Sequence, residues 1–474
     1  METDMVAAMA ADLARLLPEL FLAGAAVLGL LLGSFLPRAR QWPVRALAAL
    51  ACVGGLVATI AGWPDEPTAV FADTYAVDVA TAATRAVVGV SVLLVLGLTG
   101  ALRGHARESE FVVLLLLGAL GAILLAGAND LLLLAAAYLL ASVPLYALVG
   151  FWKDAPGTEA SLKFYLLGAL LGTTLLVGVM LLTGVGRGSD YPMLGRMLPG
   201  APAAAVAVGV VAVLGGLLFK AGAVPAQFWV PDATEGTHPV AGAVITTIPK
   251  IGAAVALYRL VDVPLAGAGL DWPLLVAVVA AATMTLGNLA AFFQTDVRRL
   301  LAYSTISQVG YVLMAVAAAG RATLALPSLL LYLAAYAVTN LGAFAVVAAL
   351  PGARSLADYT GLRRYRPWLA VSLVVCLLGL VGTPPTGVFA GKLTVFTAAL
   401  DAGLGWLVVL AAVNTVASVF YYLRWIAPVM RGEPSLAAAD RWAGVTAYVA
   451  APVSVAAGVL AGPVLAAVAG SLHG

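Results

Sequence analysis

The chain is 474 residues long, 63% of its residues are hydrophobic, and only 10% are charged. Its mean hydropathy of +1.04 excludes a soluble globular domain, because such domains carry about 25% charged residues. A net charge of +2 without a sizeable basic cluster gives no indication of a nucleic-acid partner, so we expect the lipid bilayer to be the main surrounding of the chain.

The apolar sequence forms long blocks that are separated by short polar joints. About 20 helical residues span the hydrocarbon of a bilayer, and the blocks predict fourteen such helices. Their centres lie near residues 25, 53, 90, 118, 140, 171, 213, 250, 282, 309, 336, 383, 415 and 456. The strands of a membrane barrel would alternate polar and apolar residues, and these blocks do not. The predicted fold class is therefore an all-α polytopic membrane protein.

The basic residues predict the orientation of the helices. With the amino terminus on the outer side, sixteen Lys and Arg residues lie in loops that face the cytoplasm, and five lie on the opposite side. The sixteen are Arg38, Arg40, Arg45, Arg103, Arg107, Lys153, Lys163, Arg298, Arg299, Arg354, Arg363, Arg364, Arg366, Arg424, Arg431 and Arg441. The five are Arg15, Arg187, Arg196, Arg259 and Arg321. Basic loops stay on the cytoplasmic side, so both termini are expected outside.

The first three predicted helices, within residues 1–105, contain one charged residue of interest. Arg85 follows Asp78 by seven residues, so the two side chains share roughly one helix face. Two interpretations stay open: an ion pair or a side chain that reaches the interface, and a role in gating. Cys52 and Cys376 lie in separate apolar helices without metal-ligand spacing, so neither a metal site nor a redox role is expected.

Residues 106–262 and 263–428 are predicted to be two copies of one five-helix unit, followed by a last helix in residues 429–474. In each unit the fourth helix is interrupted, because proline breaks or kinks a helix. The interrupting residues are Pro225 and Pro231 in the first unit, and Gly382, Pro384 and Pro385 in the second. An odd number of helices inverts the second copy, and matching broken helices indicate an ion site in an inverted-repeat transporter.

Three lysines, Lys220, Lys250 and Lys392, lie near these breaks in sequence apolar enough for lipid. A charged side chain at the bilayer centre costs about 3 kcal/mol on insertion scales, so such a residue indicates a functional site. Lys250 lies about 18 Å from the start of its helix, too far to reach a surface. Beside it are residues that could hold water or free a carbonyl: Thr246, Thr247 and Pro249. For Lys220 and Lys392, a side chain that extends to the interface is the alternative.

Lysine suits proton transport because burial disfavours its charged form, so the amine binds and releases a proton as its surroundings change. Three lysines on separate helices would form a lateral relay that water links. Acid–base catalysis on an organic substrate would need a cluster of Asp, Glu or His inside the helices, and the acidic residues lie in loops or at helix ends. His238, at the start of the eighth helix, is interpreted either as an interface residue or as a point of proton entry.

Several runs of the sequence resemble one known family. They are FKAGAVPAQFWVPDATEG, TTIPKIGA, MTLGNLAAFFQTDVRRLLAYSTISQVGYVLM, YAVTNLGAFAVV and GTPPTGVFAGK. They are similar to the antiporter-like membrane subunits of bacterial respiratory complex I, the NADH–quinone oxidoreductase, and most of all to the subunit N branch. The resemblance extends from the LPEL run near residue 17 to the fourteenth helix.

The resemblance implies a proton-translocating module that is driven by quinone reduction elsewhere in the complex and has no redox chemistry of its own. It implies no cofactor in this subunit, and flavin and iron–sulfur clusters in partner subunits. The expected partners are other membrane-arm subunits, including other antiporter-like ones, in a hetero-oligomer of the bacterial plasma membrane. The resemblance gives Lys220 the place of the helix-seven lysine, Lys250 that of the connecting lysine, and Lys392 that of the lysine in the second broken helix.

Two positions depart from the family pattern. The fifth helix is aligned on Asn129, Ser142 and Tyr146. In that alignment Leu139 falls where the family carries a glutamate, and without that carboxylate the charged form of the helix-seven lysine loses a partner. Gln308 stands in the tenth helix where the family often has histidine. Residues left as candidates for relay or hydration are Ser142, Tyr146 and Gln308.

Two other functions stay open at the level of the sequence. One is a subunit of a multi-subunit cation/proton antiporter or of a membrane-bound hydrogenase, which are related in sequence. The other is a structural paralogue that completes a membrane arm without moving protons. The NLGAFAVV and TMTLGNL runs favour the complex I branch. Leu139 favours the structural paralogue, and the presence of all three lysines argues against it.

Overall fold

The computed structural model describes residues 2–269, 271–432 and 439–473. At the amino end, helices pack around a short hairpin. The elements are α1 (Glu2–Arg15), α2 (Leu17–Phe35), α3 (Trp42–Ala61), β1 (Thr68–Val70), β2 (Tyr75–Val77) and α4 (Val79–Leu98). The two strands are antiparallel, with Thr68 opposite Val77 and Val70 opposite Tyr75.

The middle of the chain contains the first predicted five-helix unit, in which some crossings are made by two shorter helices. The elements are α5 (Glu108–Gly127), α6 (Leu131–Leu140), α7 (Val143–Val149), α8 (Ala155–Gly186), α9 (Tyr191–Met197), α10 (Ala203–Ala221), α11 (Trp229–Gly236) and α12 (Pro239–Asp262). Helix α12 carries a proline inside it, Pro249, next to Lys250.

The carboxy-terminal half contains the second predicted unit and the last helices. The elements are α13 (Trp272–Ala291), α14 (Val297–Ala317), α15 (Ala325–Ala349), α16 (Leu362–Tyr365), α17 (Pro367–Val381), α18 (Gly387–Asp401), α19 (Gly405–Met430), α20 (Arg441–Val459) and α21 (Ala461–Ala467).

Thirteen helical segments of the described residues are long and apolar enough to cross a membrane, and one of them, Leu131–Val149, consists of α6 and α7. One more crossing is divided between α17 and α18, which have 15 residues each. The prediction of an all-α polytopic membrane protein is confirmed, and the fourteen predicted crossings are accounted for. The inverted relation of the two units, and the unit boundaries after residues 105, 262 and 428, stay predictions.

Burial separates central helices from peripheral ones. The membrane-spanning window of α12 is 100% buried, that of α14 94% and that of α15 89%, whereas those of α2, α3, α8 and α19 are 33% buried. The central helices therefore contact protein on nearly every face, and a polar side chain on them is shielded from lipid.

Two crossings are broken in the same way. Helix α10 ends at Gly222 (φ 80°) and α17 at Gly382 (φ 88°), both in the left-handed region that glycine adopts without strain. In each case the residue after the glycine donates its N–H to a carbonyl five residues back, at 2.8 and 3.1 Å, which is the Schellman arrangement. Pro225 follows the first glycine and Pro385 the second, both after cis peptide bonds. The breaks predicted at Pro225 and at Gly382, Pro384 and Pro385 are present, whereas Pro231, which is also predicted to divide the seventh helix, lies in the first turn of α11 and interrupts no helix.

A third break was not predicted. The fifth crossing, which the sequence suggests is one helix, divides between α6 and α7 at Ala141 and Ser142. Pro144, the second residue of α7, lacks an N–H group, and the Ser142 hydroxyl donates to the Tyr138 carbonyl at 2.6 Å. These two residues are the sequence signal of the break.

Arg85 forms an ion pair, as one of the two interpretations predicts, but its partner is Glu19 and not Asp78. Its Nε donates to Glu19 of α2 at 2.7 Å, and Glu19 also accepts from the Tyr75 hydroxyl at 2.6 Å. Asp78 instead caps α4 and receives both terminal nitrogens of Arg259, at 2.7 and 2.9 Å. Arg259, which was counted among the outer basic residues, is fully buried in α12. Both partners lie far away in the sequence, so helix periodicity could not reveal them.

Candidate functional site

Lys220 lies in the last turn of α10 and is buried, with 1% of its surface exposed. Its Nζ donates to the Ala141 carbonyl at 3.0 Å and to the Ser142 hydroxyl. The ammonium also lies 4.8 Å from the centre of the Tyr138 ring. The break between α6 and α7 thus presents a free helix-end carbonyl and a hydroxyl to the lysine, and the negative end of a helix dipole favours a cation there.

Lys250 lies in the middle of α12 and is 2% exposed. Its Nζ makes no hydrogen bond to any described residue. It lies 4.2 Å from the centre of the Trp229 ring, and the indole Nε1 donates to the Phe219 carbonyl at 2.9 Å, which fixes the ring. A Cβ built on Gly222 would lie 3.2 Å from this Nζ. Lys250 is therefore packed against the first helix break with a ring face as its neighbour.

Lys392 lies on α18 and is 3% exposed. Its Nζ donates to the Val381 carbonyl, the last residue of α17, at 2.9 Å, and lies 3.5 Å from the Thr415 hydroxyl. The Tyr311 ring lies beneath it at 4.1 Å. This lysine, like Lys220, is bound by the carbonyl end of a broken helix. None of the three lysines extends to a surface.

In the described chain, no ion pair joins a carboxylate to any of the three lysines. Leu139 is 45% exposed on the outer face of α6, and its neighbour Tyr138 faces Lys220 instead. Asp130 is occupied at the other end of α6, where it accepts from the N–H groups of Leu132 and Leu133. Helix-end carbonyls contact the amines of Lys220 and Lys392, and an aromatic ring lies near each of the three amines.

Hydroxyl and amide groups lie between the region of Lys250 and that of Lys392. Tyr336 donates to the Thr246 carbonyl at 2.9 Å and contacts the Thr305 hydroxyl at 3.0 Å. A cavity of about 10 Å³, close to the space of one water, is lined by Lys250, Gln308 and Tyr336.

Gln308 is the next polar residue between Lys250 and Lys392. It accepts from the Tyr332 hydroxyl and donates to the Leu380 carbonyl at 2.7 Å. The Tyr332 ring stacks on the Tyr311 ring, whose hydroxyl accepts from Thr415 at 3.1 Å. This row of polar groups therefore ends at Tyr311 and Thr415, two of the three groups that surround Lys392.

The remaining candidate residues lie in different places. Thr246 and Thr247 both accept from the Asn340 amide, at 3.1 and 2.9 Å. Pro249, inside α12, leaves the carbonyl four residues earlier without its helical donor. Tyr146 lies on α7 one turn after Ser142, with its ring 4.6 Å from the Phe164 ring. The other candidate residues, Pro225, Gly382, Pro384 and Pro385, lie in the two breaks.

His238 lies apart from the lysines, at the first turn of α12. Its ring stacks on Trp152 at 4.4 Å and accepts the Val240 N–H at 3.3 Å. Burial, and next the charge of Arg298, lower the pKa of His238 to about 4, so it is neutral at pH 7. It lines a cavity of about 120 Å³ and lies about 18 Å along the helix from Lys250.

Several residues of the site were not singled out from the sequence. They are Tyr138, Trp229, Thr305, Tyr311, Tyr332, Tyr336, Asn340 and Thr415. A signal was available for part of this set, since Tyr332, Tyr336 and Asn340 recur every four residues on an otherwise apolar helix.

Comparison with known proteins identifies the family. The family model described as "NADH:quinone oxidoreductase/Mrp antiporter, TM" matches residues 128–418. NADH-quinone oxidoreductase subunit N 1 of Streptomyces griseus is 56% identical over 467 residues, which are 97% of this chain and 98% of that protein. Subunit N of a Mycobacterium species is 51% identical over 452 residues, which are 94% of this chain and 96% of that protein.

Solved structures agree with this result. A chain of respiratory complex I from Thermus thermophilus with bound aureothin is 32% identical, has a TM-score of 0.82, and is matched over 96% of this chain and 100% of its own length. A chain of the Mrp complex from Dietzia has a TM-score of 0.83 at 23% identity, with 96% of each chain covered, and so shares the fold.

The chain belongs to the NADH:quinone oxidoreductase/Mrp antiporter family of membrane subunits. Within this family, the relatives that match it over nearly their whole length are subunit N of NADH-quinone oxidoreductase, so the resemblance to the subunit N branch is confirmed. The antiporter alternative is not favoured.

Proposed function

We propose that this chain is a proton-translocating, non-redox membrane-arm subunit of NADH–quinone oxidoreductase. Quinone reduction elsewhere in the complex drives it, and it holds no cofactor of its own; flavin and iron–sulfur clusters belong to partner subunits. The other membrane-arm subunits, including antiporter-like ones, are its partners. It lies in the bacterial plasma membrane with both termini outside, in agreement with the basic loops.

One observation carries the proton-transport part of this proposal: the Lys250 amine is buried in the most enclosed helix without a hydrogen-bond acceptor or a carboxylate. Burying an ammonium without a partner is costly, so the neutral amine and a transient charged form are both accessible to it. Lys250 contacts the break that follows Lys220 on one side and the Gln308 cavity on the other. The three lysines and the intervening hydroxyls then form the relay.

The test replaces Lys250 by methionine in the assembled complex. Methionine keeps the volume and removes the titratable amine, so the number of protons moved per electron is expected to fall. NADH-driven acidification of inverted vesicles, together with the rate of quinone reduction, measures this ratio.

The matched control is Lys163→Met, since Lys163 is exposed and pairs with Glu159 at 2.8 Å. It is expected to leave the ratio unchanged. An unchanged ratio in Lys250→Met, with normal assembly, refutes the relay and leaves a structural paralogue.

A further inference from the structure

Helices α12 and α15 face each other at four successive levels. On α12 the facing residues recur every four positions: His238, Gly242, Thr246 and Lys250. On α15 they run in the opposite order: Val347, Phe344, Asn340 and Tyr336. Both sets follow the spacing of a single helix face, so the interface between them forms a continuous line from the end of α12 to Lys250.

The first level opens to the surface. His238 and Val347 both line the cavity of about 120 Å³, whose wall also contains Arg298, Arg354 and Asp154. Arg354 is exposed, and Arg298 donates to the Thr237 carbonyl at 2.8 Å. A polar cavity of this volume has room and partners for several waters.

The third and fourth levels are polar and closed. The Asn340 amide donates to the hydroxyls of Thr246 and Thr247, and its Oδ1 is buried without a donor among the described residues. Tyr336 donates to the Thr246 carbonyl and lines the cavity of about 10 Å³ with Lys250. These groups can accept and donate hydrogen bonds up to the lysine.

The second level, between the two polar regions, is apolar. Phe344 is fully buried and Gly242 has no side chain. A Cβ built on Gly242 would lie 3.3 Å from Phe344 Cε1 and 3.3 Å from Thr234 Cγ2, so the ring and a methyl group fill this level. A filled apolar level excludes the water that a proton would need to pass.

We propose that protons reach Lys250 through the α12–α15 interface and that the Phe344 ring is the gate of this inlet. A rotation of the ring would join the cavity at His238 to the Asn340 cluster through water. Gly242 allows this rotation, because any side chain there would press on the ring. The proposal rests on the proposed proton-transport function, and under the predicted orientation the inlet opens on the cytoplasmic side.

The test measures access of an aqueous reagent to the third level. In the assembled complex, Thr246→Cys supplies a thiol just beyond the gate, and 2-(trimethylammonium)ethyl methanethiosulfonate, whose permanent charge keeps it from crossing the membrane, is added from each side separately. The labelled peptide of this chain is quantified by mass spectrometry. With Phe344 in place, labelling is expected to be slow; adding Phe344→Ala is expected to raise its rate about tenfold or more, from the side of His238 only, because water then fills the level.

Three further variants make the result specific. Val346→Ala truncates a fully buried side chain two residues after Phe344, on the opposite face of α15, and is expected to leave the labelling rate unchanged. Phe344→Leu keeps an apolar side chain of similar reach and is expected to keep labelling slow. Phe344→Val takes the place of Phe344→Ala where that variant does not assemble, and is expected to raise the rate as well.

The possible outcomes distinguish a failure of the proposed inlet from a failure of the proposed proton-transport function. Labelling that stays slow in an assembled Phe344→Ala or Phe344→Val complex, or that rises equally from both sides, overturns the gate, even where Lys250→Met reduces proton pumping. Labelling that rises as expected supports the inlet; if Lys250→Met then left pumping unchanged, the proposed function would fail and the water path would stand.

Discussion

Two kinds of buried basic residue occur in this chain. Arg85 and Arg259 are each paired with a carboxylate, at 2.7 Å, whereas Lys250 has neither a carboxylate nor a hydrogen-bond acceptor among the described residues. Arginine stays charged at every accessible pH, so a buried arginine needs a fixed partner, but a lysine amine can lose its proton. The arginine pairs therefore hold the helices together, whereas the lysines are the basic residues that the proposed relay uses.

The pair of Asp78 and Arg259 gives the first prediction at the residue scale. Burial alone would raise the pKa of Asp78, but the Arg259 charge and hydrogen bonds hold it below its ordinary 3.8. The pair therefore contributes stability above about pH 3.8 that is lost as pH falls through the lower, folded-state pKa.

Arg259→Met is expected to lower the free energy of unfolding by about 3–5 kcal/mol, because it leaves the Asp78 carboxylate buried without a partner. Adding Asp78→Asn, which keeps the helix cap, is expected to recover part of the loss. Thermal dissociation of the purified complex measures both. Arg321→Met, which removes an exposed pair with Asp271, serves as control and costs under about 1 kcal/mol. Equal losses in the single and double variants would contradict the argument.

The lysines could be found from the sequence because a charge in an apolar run is visible without a structure. The groups that surround the lysines could not be predicted from the sequence. The acceptors of Lys220 and Lys392 include backbone carbonyls, at Ala141 and Val381, which carry no residue-type signal. The aromatic neighbours Trp229 and Tyr311 come from other helices, and their side chains are also common in apolar cores.

At the scale of the helix, the breaks explain why the amines lie where they do. A broken crossing exposes carbonyl groups at membrane depth, and these are tolerated only where protein or water satisfies them. Lys392 satisfies one at the end of α17, and Lys220 one at the end of α6. Proline pairs and glycine revealed two breaks in the sequence, but the third, at Ser142, has one proline and no glycine and was missed.

Gly382 gives a prediction at this scale. Gly382→Ala is expected to lower the thermal stability of the assembled subunit, because φ is 88° and the new Cβ would lie 2.9 Å from Lys392 Cδ. The left-handed backbone alone costs about 1–2 kcal/mol for alanine. Displacement of the lysine is expected to reduce proton pumping as well.

Gly184→Ala in α8 is the matched control, since nothing lies within 4 Å of a Cβ there. In a helix interior, alanine is favoured over glycine by about 0.5–1 kcal/mol. The two Gly→Ala changes should therefore shift the dissociation temperature of the complex in opposite directions. A stabilising or neutral Gly382→Ala would show that the break is not constrained as described.

At the scale of the whole molecule, polar side chains are concentrated on the most buried helices and apolar side chains on the outer ones. The most buried crossings, α12, α14 and α15, carry the hydroxyls, amides and one lysine, whereas α2, α3, α8 and α19 present Leu, Val and Phe outward. In lipid, apolar burial does not distinguish the interior, so polar contacts and close packing define it. The composition predicts the membrane crossings. Which crossings are central depends on tertiary packing, and a helix that is apolar on every face does not reveal its position in the bundle.

The direction of the molecule in the membrane gives the last prediction. Helices α8 and α10 begin at opposite ends of the bundle under the predicted topology, and each begins with an exposed alanine, Ala155 and Ala203. Because the loop before Ala155 is among the basic ones, Ala155→Cys is expected to react with an impermeant maleimide only in inside-out vesicles, and Ala203→Cys only in right-side-out cells. The two variants control for each other, since both place a thiol at an exposed helix start. If Ala155→Cys reacted only in right-side-out cells and Ala203→Cys only in inside-out vesicles, the predicted orientation would be wrong. The cavity at His238 would then open on the outer side, and the proposed inlet would be an exit.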